Sequence, residues 1–158
     1  LSIAENFTMA SLFAFIHHLA AFVLFAALVV EYILIKAEPG LYNARKILRA
    51  DMIYGIASVI LLAAGLVRIF YLEKGIDYYL HSGPFLAKAG LFLVMGLLSI
   101  YPTVIFLSWR TELKADRVPV PDAVTLRRLK VIIHAEMTGV MLIIACAVLM
   151  ARGVGFVG

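Results

Sequence analysis

Followed residue by residue, the alternation of apolar and polar positions resolves into four long apolar runs, about 13–35, 52–71, 85–107 and 131–151, divided by short polar segments. A helix crosses a hydrocarbon core about 30 Å thick with roughly 20 apolar residues, and every run meets that length. The runs are about twice as long as a barrel strand requires and lack its two-residue alternation. The pattern therefore predicts an all-α fold, a transmembrane four-helix bundle in one integral membrane domain, 1–158. Its helices are expected over about 10–35, 50–72, 84–109 and 126–152. The apolar-leaning stretch 7–35 exceeds one crossing, so the first helix is expected to tilt or to project from the membrane. It carries no basic leader and no A-x-A-like cleavage site, and is read as a retained span.

The connections are short. "KAEPGLYNARKILRAD" holds a Pro39-Gly40 turn and then a brief amphipathic stretch. "LEKGIDYYLHSGP" carries a Tyr78-Tyr79 pair suited to the aromatic belt of a membrane surface. "ELKADRVPVPDAVTLRR" is stiffened by two prolines, and Asp122 or Thr125 can cap the helix that follows.

Composition agrees with a bilayer environment. The 158 residues are 64% hydrophobic and only 15% charged, with a mean hydropathy of +1.02, whereas soluble domains are about 25% charged. The net charge of +4 is unevenly placed. Ten of the 14 Lys and Arg residues lie on one side: Lys36, Arg45, Lys46, Arg49, Arg110, Lys114, Arg117, Arg127, Arg128 and Lys130. Only Arg68, Lys74, Lys88 and Arg152 fall elsewhere. By the positive-inside rule both termini are expected on the outer side of a bacterial inner membrane, with the charge setting topology and lipid contact, not nucleic-acid binding. The single cysteine, Cys146, lies in the fourth span and forms no metal or c-type haem motif, so it is read as a packing residue. Gly90, Gly96, Gly139 and Ala145 are read as small residues that let helices approach.

Ionisable residues inside spans cost about 2.5–3.5 kcal/mol each at mid-bilayer and are functional candidates by default. They form two layers. One holds His17 and His18 on the first helix, Arg68 on the second and Lys88 on the third, with His81 at the adjoining surface. The other holds Glu31, Asp51, His134 and Glu136. Adjacent helical residues point about 100° apart, so only one of His17 and His18 can face the bundle interior. His17 stands fourteen residues before Glu31, about 40° away on the helix. His81 and Lys88, seven apart, lie nearly in line. The first layer reads as cations short of acids, although Glu73 and Asp77 can neutralise part of it. An anionic ligand such as haem b would place its metal against imidazole and its propionates against Arg68 or Lys88. In the second layer His134 can pair with Glu31 or Asp51, and Glu31, Tyr54 and Glu136 are candidates for a proton path. His134 as a second metal ligand stands roughly 18 Å in height from His18, a gap that sliding the first helix shortens.

Through "FAFIHHLAAF", "ADMIYGIASVILLAAGLVRIFYLEKG", "YYLHSGPFLAKAGLF", "GLLSIYPTVIFLSW" and "ARGVG", the whole chain resembles an uncharacterised bacterial family of four-helix membrane proteins. In layout alone it is similar to HemJ-type protoporphyrinogen oxidases and CopD-like membrane proteins. The HemJ-type resemblance implies haem b binding, with His18 and Lys88 at the positions of an important first-helix histidine and third-helix lysine. Where that pattern has a further histidine, this chain reads Tyr101-Pro102.

Three functions are compatible with these residues. The leading expectation is a haem-b-binding inner-membrane protein, a redox protein or oxidoreductase. Its cofactor contacts would be His18, Arg68, Lys88 and His81, with His18 and His134 as metal ligands. The second is a non-catalytic accessory subunit of a homodimer or larger membrane complex. The third is a small transporter or proton channel that uses both polar layers.

Overall fold

The computed structural model describes residues 3–73 and 75–155, with side chains from Phe7 onward; Lys74, counted above among the basic residues, lies outside them. Among the described residues there are six α-helices and no strand: α1 (Ile3–Lys36), α2 (Leu41–Val67), α3 (Ile76–Leu80), α4 (Gly83–Ser108), α5 (Arg110–Lys114) and α6 (Ala123–Ala151). A π-helical turn, Arg68–Leu72, continues α2. Four segments are long and apolar enough to cross a membrane: Phe7–Lys36, Leu41–Leu72, Gly83–Lys114 and Ala123–Ala151.

Breakers and caps set the ends. Nothing interrupts α1 until Pro39-Gly40, and its 34 residues run to about 50 Å. Its last turn is tied down by Lys36, whose Nζ donates to the Tyr32 hydroxyl at 2.6 Å. Helix α2 starts at Leu41, well before the expected position near residue 50. Its first turns are amphipathic: Ala44 and Ile47 are buried in the core while Arg45 and Lys46 stay outside, so the polar connection is itself helical. Gly75, at φ +84°, takes a left-handed conformation that suits glycine and turns the chain into α3. Asp122, not Thr125, caps α6, accepting from the backbone N–H groups of Val124 (2.9 Å) and Thr125 (3.0 Å).

The bundle is a four-cornered ring. Helix α1 packs against α2 on one side and α6 on the other, α4 packs against α6, and α2 and α4 close the ring with the loosest approach. Close packing is concentrated at one end, where Leu28, Phe106, Leu129 and Ile133 are fully buried beside Ile35, Ala44 and Trp109. Arg45 of α2 braces the same end, donating to the Leu113 carbonyl (3.2 Å) and pairing with Asp116. Outward faces carry large apolar side chains such as Phe15, Phe22, Val59 and Leu93, as lipid contact requires.

Helices in lipid associate through packing more than through a hydrophobic force, so small residues matter where backbones meet. Gly139 is one such point: a Cβ there would stand 2.3 Å from the Met95 sulfur across the α4–α6 contact. Gly90 and Gly96 are not, since a Cβ at either meets nothing within 4 Å. Their expected role in helix approach is corrected on that ground; both are exposed on α4.

Candidate functional site

Each spanning helix carries a seven-residue stripe toward the bundle axis, and the polar residues on those stripes make the site. On α1 the stripe is His17, Leu24, Leu28, Glu31 and Ile35; on α2 it includes Asp51, Tyr54 and Leu61; on α6, Leu129, Ile133, Glu136 and Val140. Glu31, Asp51 and Glu136 are 2%, 6% and 1% exposed, and lie close enough to interact electrostatically with one another. Asp51 accepts from the Thr103 hydroxyl of α4 at 2.7 Å, and Glu136 accepts a long bond, 3.4 Å, from the Tyr54 hydroxyl. Glu31 Oε1 is buried without a hydrogen-bond partner. No Lys, Arg or His forms an ion pair with the three carboxylates among the described residues.

His134 does not join them. It lies two residues before Glu136, about 200° round the helix, which puts it on the exposed face. There its ring stands 5.8 Å from that of Tyr32, in a surface depression beside Lys36, Arg127 and Lys130. The expected pairing of His134 with Glu31 or Asp51 is therefore replaced by an all-carboxylate cluster. Asp51, expected as a partner of His134, is held by Thr103 instead, a residue that gave no signal in sequence.

About 21 Å along α1 from Glu31 lies the second polar region. Here the helix turns His17 inward and His18 outward, the reverse of the expectation that His18 faces the interior. Gly65 on α2 makes room for the His17 ring, which stands 3.2 Å from where a Cβ would be, and Nδ1 of His17 donates to the Leu61 carbonyl at 3.1 Å. His18 is exposed, bonding its own helix at the Ala14 carbonyl, 2.6 Å away. Lys88 shares a cavity of about 160 Å³ with His17, walled by Gly65, Phe85 and Phe92. Arg68 is already paired with Glu73 at 2.7 Å, because the π turn carries the chain back over its own carboxylate. Tyr79 completes that surface group, its hydroxyl 3.4 Å from Glu73. Burial, then the neighbouring Glu73 charge, pushes the Tyr79 phenol above its ordinary range. His81 is exposed and donates to the Asp77 carbonyl at 2.9 Å, so it does not line the cavity.

Haem b does not fit these residues as they stand. His17 is the one imidazole lining the cavity, His18 and His134 face away from it on different helices, and Arg68 is committed to Glu73. Among the described residues, no three or more His, Cys, Asp or Glu side chains are grouped to hold a metal ion. The hydroxyls and carboxylates instead form a polar strip at the bundle centre, made of two hydrogen-bonded pairs, Thr103–Asp51 and Tyr54–Glu136, with Glu31 buried nearby.

No curated protein and no solved structure matches the chain. Residues 9–155 match a family described as predicted membrane proteins, in accord with four apolar membrane-length helices that make this a multi-pass protein in contact with lipid. The chain belongs to that family, DUF2214.

Proposed function

We propose that this protein handles protons inside the membrane, as a small carrier or relay whose exchange site is the Glu31, Asp51 and Glu136 cluster. The observation that carries the reading is three carboxylates buried within electrostatic reach of one another with no ion-pair partner among the described residues, one of them with an unpartnered oxygen. Three unpaired anions in a low-dielectric bundle are too costly to coexist, whereas each proton taken up removes one of the charges and supplies a donor that the cluster lacks. Ionisable groups retained within a span commonly mark such relays. Tyr54 and Thr103 extend the strip toward α4, and their hydroxyls can rotate to pass a proton on.

The setting we propose is a bacterial inner membrane with both termini outside, supported by the ten-of-14 bias of basic residues toward one side. Reconstitution into liposomes with a pH-sensitive dye inside tests the function. Wild type should carry protons down an imposed gradient, and Glu31→Gln and Glu136→Gln should each slow the flux at least tenfold while keeping the helical spectrum. Flux unchanged in both variants would overturn the reading.

A further inference from the structure

The loosest seam of the bundle, between α2 and α4, is an elongated groove. The cavity that holds His17 and Lys88 continues into a second, of about 290 Å³, and the two share Leu61, Leu62, Phe92 and Ile143 as walls. From Lys88 to Thr103 the groove follows α4 for about 22 Å, the reach of an extended acyl chain. Its middle is held open by missing side chains: Gly55 and Gly96 both line it, and a Cβ at either meets nothing within 4 Å.

The groove has an apolar body and a charged head. Its hydroxyls already donate to protein groups, Ser58 to the Tyr54 carbonyl (2.8 Å), Ser99 to the Gly96 carbonyl (2.8 Å), Thr103 to Asp51 and Tyr54 to Glu136. At the other end Lys88 has no carboxylate within ion-pair distance among the described residues, its ammonium standing 5.6 Å from the Phe85 ring centre. Because Nδ1 of His17 donates to Leu61, the second nitrogen of the neutral ring is left as an acceptor, so Lys88 is the donor that an anionic head would meet there.

We propose that the α2–α4 groove binds a single-chain, long carboxylic acid, its carboxylate held by Lys88 at the His17 end and its tail along Gly55 and Gly96. Charge complementarity selects the head: a carboxylate supplies the anion that Lys88 lacks. The walls select the tail, since the side chains shared by the two cavities, Leu61, Leu62, Phe92 and Ile143, are all apolar. The tail end of the groove reaches Tyr54 and Thr103 of the carboxylate region, but the assignment does not require proton transfer there, and it is tested by binding alone.

The test uses the full chain in phosphatidylcholine nanodiscs with a diazirine-bearing palmitate as photoprobe and unlabelled palmitate as competitor. Labelling should be saturable and should map to α2 and α4 residues lining the groove. Lys88→Gln should weaken binding tenfold or more and Lys88→Arg should largely restore it. Gly96→Leu should abolish labelling, whereas Gly90→Leu, on the same helix but outside the groove, should leave it intact. Both glycines face open space, so neither variant is expected to disturb the fold. Hexadecanol competing as well as palmitate would overturn the choice of head. Labelling spread over the outer helix faces and insensitive to Gly96→Leu would overturn the site, as would disulfide capture of a second copy in the seam through cysteines placed at Val59 and Leu97.

Discussion

Gly139→Ala isolates the contact that holds α4 against α6. The new methyl would lie 2.3 Å from Met95 Sδ, 2.9 Å from Cγ and 3.0 Å from Cε, against an ordinary separation of about 3.5–4.0 Å. Met95 is only 8% exposed, and its flexible end must leave the α4–α6 contact and swing toward the groove it lines. Overpacking of this kind costs about 1–3 kcal/mol, and replacing a helical glycine by alanine returns about 0.8–1 kcal/mol of that. A net loss of up to about 2 kcal/mol is expected, measured as equilibrium unfolding in mixed micelles followed by circular dichroism. Gly96→Ala gains the same propensity without a clash, and should be neutral or stabilising by up to about 1 kcal/mol. Shortening Met95 to Ala in the Gly139→Ala background should recover part of the loss, with a coupling energy of about 0.5–3 kcal/mol. If Gly139→Ala is as stable as Gly96→Ala, or if the cycle shows no coupling, the α4–α6 packing described above is wrong.

Three further outcomes follow from the geometry. His17→Ala should lower stability by about 0.5–1.5 kcal/mol through loss of the bond to Leu61, and His18→Ala should change it by less than about 0.5 kcal/mol; the reverse ranking in the same unfolding assay would turn α1 round. Asp122→Ala should lower the thermal midpoint and Asp122→Asn should retain most of it, because asparagine can still accept from the first turn of α6. The Thr125 hydroxyl and backbone N–H hold the Asp122 carboxyl below its usual range, so the cap is fully present above the ordinary carboxylate pKa and weakens as pH falls through the depressed value. An acid titration in which Asp122→Asn and wild type lose stability in parallel would show that this carboxyl does not contribute. Thr103→Val should destabilise more than Thr103→Ser, since only the valine leaves Asp51 without its donor.

The four spans were legible because bilayer thickness dictates run length, a constraint that acts on each helix separately. The carboxylate layer was legible for a related reason: Glu31, Asp51 and Glu136 are conspicuous in apolar surroundings whatever their neighbours. Helical phase was harder. The spacing of His17, Leu24 and Glu31 already placed His17 on the interior stripe, but the layout resemblance favoured His18, and rotation about the α1 axis is fixed by packing against α2 and α6. His134 was drawn toward the acids by depth, while its two-residue offset from Glu136 sends it to the opposite face. The Arg68–Glu73 pair depends on a π turn that no local sequence signal announced, and the α2–α4 groove is a property of two helices that barely touch. Lys88 without an ion pair and the Glu31 oxygen without a donor, among the described residues, emerge only once the neighbours are in place.

Infrared spectroscopy of the reconstituted protein tests the central claim most directly, since a protonated carboxyl has a carbonyl stretch that a carboxylate lacks. Near neutral pH the wild type should show at least one such band that shifts on exchange into heavy water and disappears in the Glu31→Gln, Asp51→Asn, Glu136→Gln triple variant. A wild-type spectrum with carboxylate bands alone, or a carboxyl band that survives in the triple variant, would contradict a proton held among these three side chains.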